Sequence, residues 1–540
     1  MKKVFMALHP AFIGTIFAAV FTFSIAAGSL TASAQLVYKD VAGIFYNRCT
    51  SCHHMNGGAP FSMMNYSETI PWTSLIQTDL NSGKMPPWPP DTNYTRFLHE
   101  RIITSTEKAN ILSWISTGTQ QGDTTLAPPA PTYTKYKLNG TPDLILQIPT
   151  FTSNATTSDK YNCFVLPTGL TQDRIIRAFE IVPGNGNIVH HVVVKVDTTG
   201  TLTSNLSGSC FNQSGDFDIG IWVPGGPPSV FPSSPQLKLG MKLKAGSRIS
   251  MQIHNPAGSA GQKDSTQIRI YFYPIGTPGI RPVYSNTFLQ NWSLNIAANT
   301  VATYQASYPT SALTSARSIL STSPHAHHVN RTALVYGYKA SPVDTIPLIR
   351  IPKWNFDWQG IYVFPKMVKI PAGYKLGSKH LYDNTTNNPD NPNNPPQTVV
   401  AGSSTTDEML FDSFEWTYYQ TGDELIDIGN ILSTDSLLST SVNELSSSVK
   451  ISAYTCPNPF NDFVKIGYEL LYPAHTSVSV YTIYGSEVKN LAYQYNSAGA
   501  YTINWDGRNE NGIKVPAGIY FYTIRAGKSQ TSGKIVLMPK

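Results

Sequence analysis

The sequence is short of charged residues. Asp, Glu, Lys and Arg make up 13% of the 540 residues, about half of the roughly 25% that is usual in soluble domains. The formal net charge is +6 and the basic residues form no runs, so the sequence predicts no nucleic-acid site. Gly, Pro, Ser, Thr, Asn and Tyr are plentiful instead, which favours a β-rich extracellular protein with many turns.

Long apolar runs are also scarce. The first, AFIGTIFAAVFTFSIAAG, follows the basic start MKK and precedes ASA, a small-residue cleavage pattern before Gln35. This arrangement predicts a signal peptide over residues 1–34, with an uncleaved membrane anchor as the alternative. No later run is apolar enough to span a bilayer, so the predicted mature chain has no transmembrane segment and resides where disulfides are permitted.

Neither tandem repeats nor the dense cysteines of a disulfide scaffold are present, and the length implies about three to five domains. Changes in composition indicate their boundaries: helix-like apolar spacing comes first, then strand-length runs rich in Val, Ile and Tyr, then a Ser-rich stretch and a last β-rich stretch. The predicted domains after the signal peptide are a helical domain at 36–125, β-sandwiches at 136–280 and 281–430, a linker at 431–451 and a compact β-module at 452–540.

The most specific short motif is CTSCH, from Cys49 to His53. Two thiols three positions apart can add to the two vinyl groups of a heme, and the histidine that follows can ligate the iron. A disulfide or a zinc pair is the alternative, but zinc needs a second pair of ligands nearby. The motif therefore predicts a c-type heme held by Cys49, Cys52 and His53.

The second axial ligand of this heme must come from elsewhere in the chain. Met85 lies in the rigid segment GKMPPWPPD, and a thioether is a good ligand for low-spin heme iron. Met55, Met63 and Met64 compete, but a later loop reaches the opposite heme face more readily than residues directly behind the attachment motif. We therefore expect Met85 to be the ligand, with a core methionine as the alternative. The segment 36–125 as a whole resembles a small cytochrome c domain.

Four further places carry histidine or methionine on predicted strands or strand ends: IVHHVVVKV, ISMQIHNP, PHAHHV and TTDEMLFDSFEW. Since residues two apart face the same side of a strand, His325 and His327 can chelate one ion while His328 points away. The adjacent pair His190 and His191 can reach one metal only at a bulge or a strand end. Imidazole suits copper and zinc, and a thioether favours Cu(I), although each motif alone is weak.

Taken in order, VHHVVV, QIHNP, HAHH and DEM resemble the copper type II, ascorbate-dependent monooxygenases, the family of peptidylglycine α-hydroxylating and dopamine β-monooxygenases. The resemblance covers about residues 140–430 and implies two jelly-roll-like sandwiches, one copper on each. It also implies hydroxylation of a C–H bond with O2. The implied ligands are His190, His191 and His254 for a copper that relays electrons, and His325, His327 and Met409 for the catalytic copper that binds oxygen.

Two departures from this family concern the substrate. The peptide-amidating members have a basic residue before the HxH motif, where this sequence has Ser323 and Pro324. Leu410 and Phe411 follow Met409, in place of the polar contacts expected for a peptide terminus. These residues count against peptide amidation and indicate a less polar organic substrate.

Three one-electron centres in one chain suggest a use for the heme. A tethered cytochrome could pass electrons from an external donor to the copper of His190, His191 and His254, in place of ascorbate. The alternatives are a surface protein that binds heme and copper or transfers electrons without oxygenase activity, and an adhesive surface protein with degenerate metal sites.

The end of the chain resembles a C-terminal sorting domain of the type IX secretion system, in PNPF, VYTIYG, WDGRN, VPAGIYFYTI and the final KIVL. The resemblance implies passage through the periplasm and export by that machinery to the surface or the medium; an ordinary Ig-like module is the alternative. Cys163 and Cys210 lie in one predicted sandwich and could form a disulfide, which leaves Cys456 unpaired. The predicted architecture is a small α-helical cytochrome c domain, two jelly-roll-like β-sandwiches and a C-terminal Ig-like β-sandwich.

Overall fold

The computed structural model describes most of the chain from Gln35 to Pro539. The residues it leaves undescribed are 1–34, 56, 209, 211–216, 403, 439–450, 471–473, 484, 497–498, 527–528 and 540. The predicted signal peptide therefore lies outside the described residues. Within the described ranges, no helix combines the length and the apolar character needed to cross a membrane.

The first described segment is helical, in agreement with its apolar spacing. Its elements are α1 (Tyr38–Arg48), α2 (Tyr66–Thr69), α3 (Thr73–Ser82) and α4 (Ser105–Ser116), with 3-10 turns at Ile70–Trp72 and Thr124–Leu126. Helix α4 begins with a capping box between Thr104 and Glu107, and α3 ends at Gly83, whose φ of 72° suits glycine. The helices close around Phe45 and Trp114, which are fully buried. The assignment of this segment to a cytochrome c domain stays a prediction.

In its described residues, the first β-sandwich contains twelve strands. They are β1 (Leu144–Gln147), β2 (Phe151–Thr152), β3 (Lys160–Pro167), β4 (Arg174–Val182), β5 (His191–Asp197), β6 (Phe217–Trp222), β7 (Ser229–Val230), β8 (Lys238–Leu243), β9 (Arg248–Asn255), β10 (Lys263–Asp264), β11 (Gln267–Phe272) and β12 (Ile280–Pro282). One sheet has the order β1-β11-β4-β8-β12, with β7 on β4, and the other has the order β3-β9-β5-β6. Val192, Val194 and Val196 of β5 are buried in the core, so alternation turns His191 to the opposite face.

The second β-sandwich follows directly. Its strands are β13 (Tyr284–Gln290), β14 (Asn295–Ile296), β15 (Thr300–Tyr308), β16 (Arg317–His325), β17 (Asn330–Ala340), β18 (Val343–Ile351), β19 (Tyr362–Ile370), β20 (Lys375–Asn384), β21 (Val399–Val400) and β22 (Phe411–Tyr418). The two main sheets have the orders β13-β22-β16-β19 and β15-β20-β17-β18, and Phe364, Tyr382 and Phe414 are part of the core. The β-sandwich architecture predicted for the middle of the chain is confirmed.

The boundary after the second sandwich differs from the prediction. A short helix, α5 (Ile428–Ser433), packs Ile428, Ile431 and Leu432 into the core of the first sandwich. Asp435 then forms an ion pair with Arg177 of β4 at 2.8 Å. The chain thus contacts the first sandwich again over residues where a linker was predicted to begin. The apolar residues among the serines have helical spacing, which explains why a helix forms there. Residues 439–450 of the predicted linker lie outside the described residues.

The C-terminal module is a smaller two-sheet sandwich. Its strands are β23 (Ile451–Cys456), β24 (Val464–Leu470), β25 (Ala474–Thr482), β26 (Glu487–Asn496), β27 (Gly499–Trp505), β28 (Gly518–Ala526) and β29 (Ser529–Leu537). The sheets have the orders β23-β24-β27 and β26-β25-β28-β29. The buried Trp505 donates from Nε1 to the Arg508 carbonyl at 2.9 Å, which anchors the WDG turn to the core.

The predicted disulfide between Cys163 and Cys210 is present. Cys163 belongs to β3, which pairs with β9, so the bridge fastens a loop to the sheet that carries His254. Cys456 is exposed and free, as expected from the number of cysteines.

Candidate functional site

Three histidines predicted to share a metal lie together at one end of the first sandwich. His191 is the first residue of β5 and pairs with His254 of β9, while His190 lies just before the strand and its backbone N–H donates to the His254 carbonyl at 2.9 Å. The Nδ1 atom of His191 is 3.3 Å from the Nδ1 atom of His190 and 3.3 Å from that of His254. A strand end therefore allows both adjacent histidines to face one point. We call this group the three-histidine site.

The ring of His254 is fixed by residues outside this group. Its Nε2 atom lies 2.9 Å from Oδ2 of Asp159, and the Tyr161 ring stacks on it with 4.5 Å between ring centres. With Nε2 engaged by the carboxylate, Nδ1 faces the other two rings, an arrangement that orients metal-bound histidines in many proteins. Asp159 was not predictable from the motifs, because only the pairing of β3 with β9 brings it to His254.

Burial favours the neutral form of two imidazoles of this site, those of His191 and His254. Burial and the neighbouring imidazoles lower the pKa of His191 well below its usual value, and they lower the pKa of His254 to about 4. Neutral imidazole is the form that binds metal ions. Among the described residues, this is the one group of three His, Cys, Asp or Glu side chains whose ligand atoms lie within 4.8 Å of one another. The donor set fits copper or zinc.

The second predicted group lies at one end of the second sandwich. His325, the last residue of β16, pairs with Phe411, the first residue of the antiparallel strand β22. His327, two residues after His325, and Met409, two residues before Phe411, therefore lie at the same end of this strand pair. The ring centres of His325 and His327 are 5.3 Å apart. We call His325, His327 and Met409 the His-His-Met site.

Hydrogen bonds join the two chain segments that form the His-His-Met site. The Nδ1 atom of His327 donates to the Asp407 carbonyl at 3.0 Å, which leaves Nε2 able to bind a metal. The buried Glu408 carboxylate accepts from the backbone N–H groups of His327 and Met409, the latter at 2.7 Å, and from that of Val329 at 3.2 Å. Burial raises the pKa of Glu408 to about 8, against the effect of these hydrogen bonds. No sequence motif pointed to this carboxylate.

His327 and His328 lie in the turn between β16, which ends at His325, and β17, which begins at Asn330. Burial, with a smaller effect of His325, lowers the pKa of His327 to about 3, so that its ring is neutral at neutral pH. The His328 ring instead packs on Phe356, with 4.3 Å between ring centres, and lines a different cavity. This position agrees with the expectation that His328 points away from the metal ligands.

The two sites open into one cavity between the sandwiches. This cavity, of about 360 Å³, is lined by His190 and His191 from the first sandwich and by His325, His327 and Met409 from the second. His254 lies behind this wall and is 2% exposed. Besides the histidines, three chargeable side chains line the cavity: Lys195, Asp357 and Glu415. Apolar residues of the wall include Val193, Ile221, Trp292, Ile361 and Phe411.

The CTSCH motif follows helix α1. Cys49 caps the helix, and the His53 backbone N–H donates to the Cys49 carbonyl at 3.0 Å. The Nδ1 atom of His53 lies 3.1 Å from the Phe61 carbonyl oxygen, which leaves Nε2 as the possible iron ligand. The thiols of Cys49 and Cys52 are free, and no described His, Asp or Glu completes a three-ligand metal group with them. These residues fit covalent heme attachment better than a zinc site.

Met85 lies in the segment that follows α3. It lines a second cavity, of about 1050 Å³, together with residues of the second sandwich; His53 is not among the described residues of that wall. Of the competing methionines, Met55 is 78% exposed, and Met63 is 2% exposed within the helical core. The backbone N–H of Met63 donates to the His53 carbonyl at 2.9 Å. The pairing of Met85 with His53 on a heme iron stays a prediction.

Comparison with known proteins identifies one domain. Residues 461–530 match the family model of the FlgD Ig-like domain, which confirms the Ig-like fold predicted for the C-terminal module. Among curated proteins the chain has no match.

Solved structures similar to the chain include two proteins of Porphyromonas gingivalis. PorZ, described as an essential surface component of the type IX secretion system, is 18% identical with a TM-score of 0.14, over 25% of this chain and 14% of PorZ. Dimeric latent PorU is 12% identical with a TM-score of 0.15, over 71% of this chain and 34% of PorU. A β-glucuronidase of Bacteroides uniformis is 8% identical with a TM-score of 0.12, over 44% of this chain and 27% of the enzyme. The chain thus spans about a third or less of each, and scores this low carry no argument about function.

Proposed function

We propose that this chain is a secreted copper-dependent monooxygenase that hydroxylates a C–H bond of an organic substrate with O2. The observation that carries the proposal is the cavity shared by the three-histidine site and the His-His-Met site. Ligand candidates from four separate sequence motifs form these two groups, in the order and grouping of the copper type II monooxygenases that the sequence resembles.

The two sites offer different ligand sets for two copper ions. When bound, copper supplies one-electron chemistry and activation of O2. Burial lowers the pKa of His191, His254, His325 and His327, which favours the neutral form that binds metal ions. Hydrogen bonds to Asp159, the Asp407 carbonyl and Glu408 hold ligand residues in position. The thioether of Met409 favours Cu(I) at one site only. Because the two sites have different ligand sets, they suit two copper ions with different roles.

The cavity wall favours a small, largely apolar substrate. The rings of Trp292 and Phe411 meet edge to face, with 4.8 Å between ring centres, and both line the cavity. Ser323 and Pro324 also line it, at the place where the peptide-amidating enzymes have a basic residue. Glu415 contributes a carboxyl group whose pKa is raised by burial. A peptide carboxylate has no cationic partner beside the HxH motif.

A heme c on Cys49 and Cys52 completes the proposal, with an external donor as the source of electrons. Its support is the contact between the motif and the first sandwich: Sγ of Cys52 lies 3.9 Å from the Pro224 carbonyl oxygen. A Cβ on Gly225 would lie 2.1 Å from this sulfur, so only glycine permits the approach. Pro224 follows β6, which pairs with β5, the strand of His191. Cys52 therefore contacts the loop that follows β6, the strand beside β5.

The Ig-like module serves, in this proposal, as the sorting signal for type IX secretion. Its match to an Ig-like family supports the fold. Its motifs PNPF, WDGRN and KIVL, which resemble those of type IX sorting domains, support the sorting role. The chain would then act at the cell surface or in the medium.

Copper content and oxygen insertion test the enzymatic proposal together. The full chain is loaded with copper, reduced and incubated with organic extracts under isotope-labelled O2, and products are identified by mass spectrometry. We expect two coppers per chain and one labelled oxygen atom in a product. The control is the His190→Ala, His325→Ala double variant, which should bind less copper and form no labelled product. Two coppers without oxygen uptake would contradict the oxygenase and support a surface electron-transfer protein.

The role of the heme is tested by measuring the rate of product formation in His53→Ala and in the unmodified chain, both supplied with one small-molecule reductant. If the motif serves in electron supply, product should form more slowly than in the unmodified chain, although copper content is unchanged. An equal rate of product formation in the two proteins would remove the heme from the proposal and leave the copper chemistry intact.

A further inference from the structure

The second cavity, between the helical segment and the second sandwich, has a volume of about 1050 Å³, near the upper end of the range for ligand pockets. Three buried N–H groups on its wall have no hydrogen-bond acceptor in the structure: Nε1 of Trp88, Nε1 of Trp354 and Nη1 of Arg101. A buried donor without an acceptor costs free energy and is rare in native proteins. Three of them on one wall indicate a ligand that brings acceptors.

Packing fixes the two indole rings. Trp354 is 5% exposed, and its backbone N–H donates to the Arg331 carbonyl at 2.8 Å. The Trp88 ring meets the Tyr362 ring edge to face, with 5.6 Å between ring centres. Trp88 comes from the helical segment and Trp354 from the second sandwich, so the donors converge from two parts of the fold.

Two backbone hydrogen bonds hold these two parts together beside the cavity. The Asp91 N–H donates to the Arg350 carbonyl, and the Leu98 N–H donates to the Val363 carbonyl, both at 2.8 Å. Asp91 is also on the cavity wall, so one of these two hydrogen bonds lies directly beside the cavity.

The acidic residues of the wall leave the Arg101 guanidinium available. Asp91 is paired with Arg350, and Asp390 is paired with Arg331 at 2.7 Å. Asp357 is a third acidic residue on the wall. Since the buried Nη1 of Arg101 has no acceptor, an anionic ligand would supply the missing partner.

The same cavity borders the proposed site of heme attachment. Leu80 lines the cavity and packs in the hydrophobic core that Cys49 contacts. Met85, the predicted iron ligand, lies on the wall itself. The attachment motif and the cavity thus share the core around Leu80, although Cys49, Cys52 and His53 are not among the described residues that line the cavity.

We infer that this cavity receives the edge of the heme that carries its two carboxylates, and that Trp88, Arg101 and Trp354 donate hydrogen bonds to them. The inference rests on the proposed attachment of heme to the CTSCH motif, and it adds a contact from the second sandwich. Indole offers one N–H and no acceptor, and guanidinium pairs strongly with carboxylate. The heme is then held by two domains, through its thioethers on one side and its carboxylates on the other.

This placement brings the carboxylate edge close to the His-His-Met site. Phe356 lines both cavities, and its ring lies 5.8 Å from the His327 ring. At this point the wall between the two cavities is one residue thick.

The test is the midpoint potential of the heme in the holoprotein, measured by redox titration across a range of pH. In Arg101→Gln, loss of the cation should lower the potential and move its pH-dependent step upward by about one unit, as expected when a neighbouring charge is removed from a carboxyl group. Trp354→Phe keeps an aromatic ring and removes the N–H, so it should shift the step in the same direction by less. Arg101→Lys keeps the charge and should restore most of the original curve.

Trp416→Phe is the matched control, because Trp416 is a buried indole of the same sandwich whose N–H donates to Asn286 Oδ1 at 2.9 Å. It should leave the curve unchanged. Unchanged curves in both Arg101→Gln and Trp354→Phe, in protein with its full content of heme, would overturn this inference alone. A chain that matures without covalent heme would overturn both this inference and the proposed attachment. The readout needs no copper, so a failure of the oxygenase proposal would not affect it.

Discussion

The three-histidine site and the His-His-Met site face the same cavity but are built differently. In the first, the ligand atoms already lie within 4.8 Å of one another, on two paired strands, and the carboxylate that orients one ring is 43% exposed. In the second, one ligand is a thioether, and a fully buried carboxylate holds both chain segments. The first site therefore depends on strand register, and the second depends on a buried polar anchor.

This difference suggests which site is more easily lost. A site made by paired strands keeps its geometry when one outer contact is removed, because the backbone ladder remains. A site on two segments joined by one carboxylate loses its geometry when that carboxylate changes, since buried N–H groups then lack acceptors. The variants below test this contrast.

The largest effect is expected from Met409→Ala, which removes the only sulfur ligand proposed for copper. The chain should bind one copper instead of two, and labelled product should disappear, because the remaining pair of histidines is a weaker Cu(I) site. Metal analysis and product mass spectrometry provide the measurements. Met538→Ala, at an exposed methionine of the C-terminal module, is the control. Two retained coppers in Met409→Ala would exclude Met409 as a ligand.

Glu408→Gln should come next, because an amide NH2 group cannot accept the hydrogen bonds that a carboxylate oxygen accepts. We expect the copper affinity of the His-His-Met site to fall by about 100-fold, the upper end of the effect of residues that orient metal ligands. The three-histidine site should keep its affinity. Copper titration with an optical probe gives both values, and Glu469→Gln, at an exposed position, is the control. Equal losses at the two sites would show general destabilisation instead.

The sequence predicted site residues that follow a local periodicity better than site residues that come together only through strand pairing. His325 and His327 followed from the two-residue period of a strand, whereas His190 and His191 required knowledge of where β5 begins. Asp159 and Glu408 could not be found, because strand pairing and a backbone turn bring them to the ligands. Helix α5 was hidden by its serine-rich surroundings, although its apolar residues have helical spacing. Local periodicity can be recognised in the sequence, whereas the register between distant strands cannot.

Asp159→Asn should have a smaller effect than Glu408→Gln, because solvent can replace part of a partly exposed hydrogen bond. We expect a loss of about tenfold in copper affinity at the three-histidine site, with the His-His-Met site unchanged. Asp173→Asn is the control, since Asp173 forms an exposed ion pair with Lys242 in the same sandwich. A loss as large as that of Glu408→Gln would contradict the contrast between the two sites.

His328→Ala should have the smallest effect. The ring packs on Phe356 and lines the second cavity, so its removal takes no ligand from either metal site. The variant should retain both coppers, with affinities within about twofold, while His325→Ala, three positions earlier in the same segment, should lose one copper. Because the two substitutions remove the same side chain from the same stretch of chain, any difference between them reports the direction of the ring. Loss of a copper in His328→Ala would mean that the ring direction seen in this turn does not hold when the metal is bound.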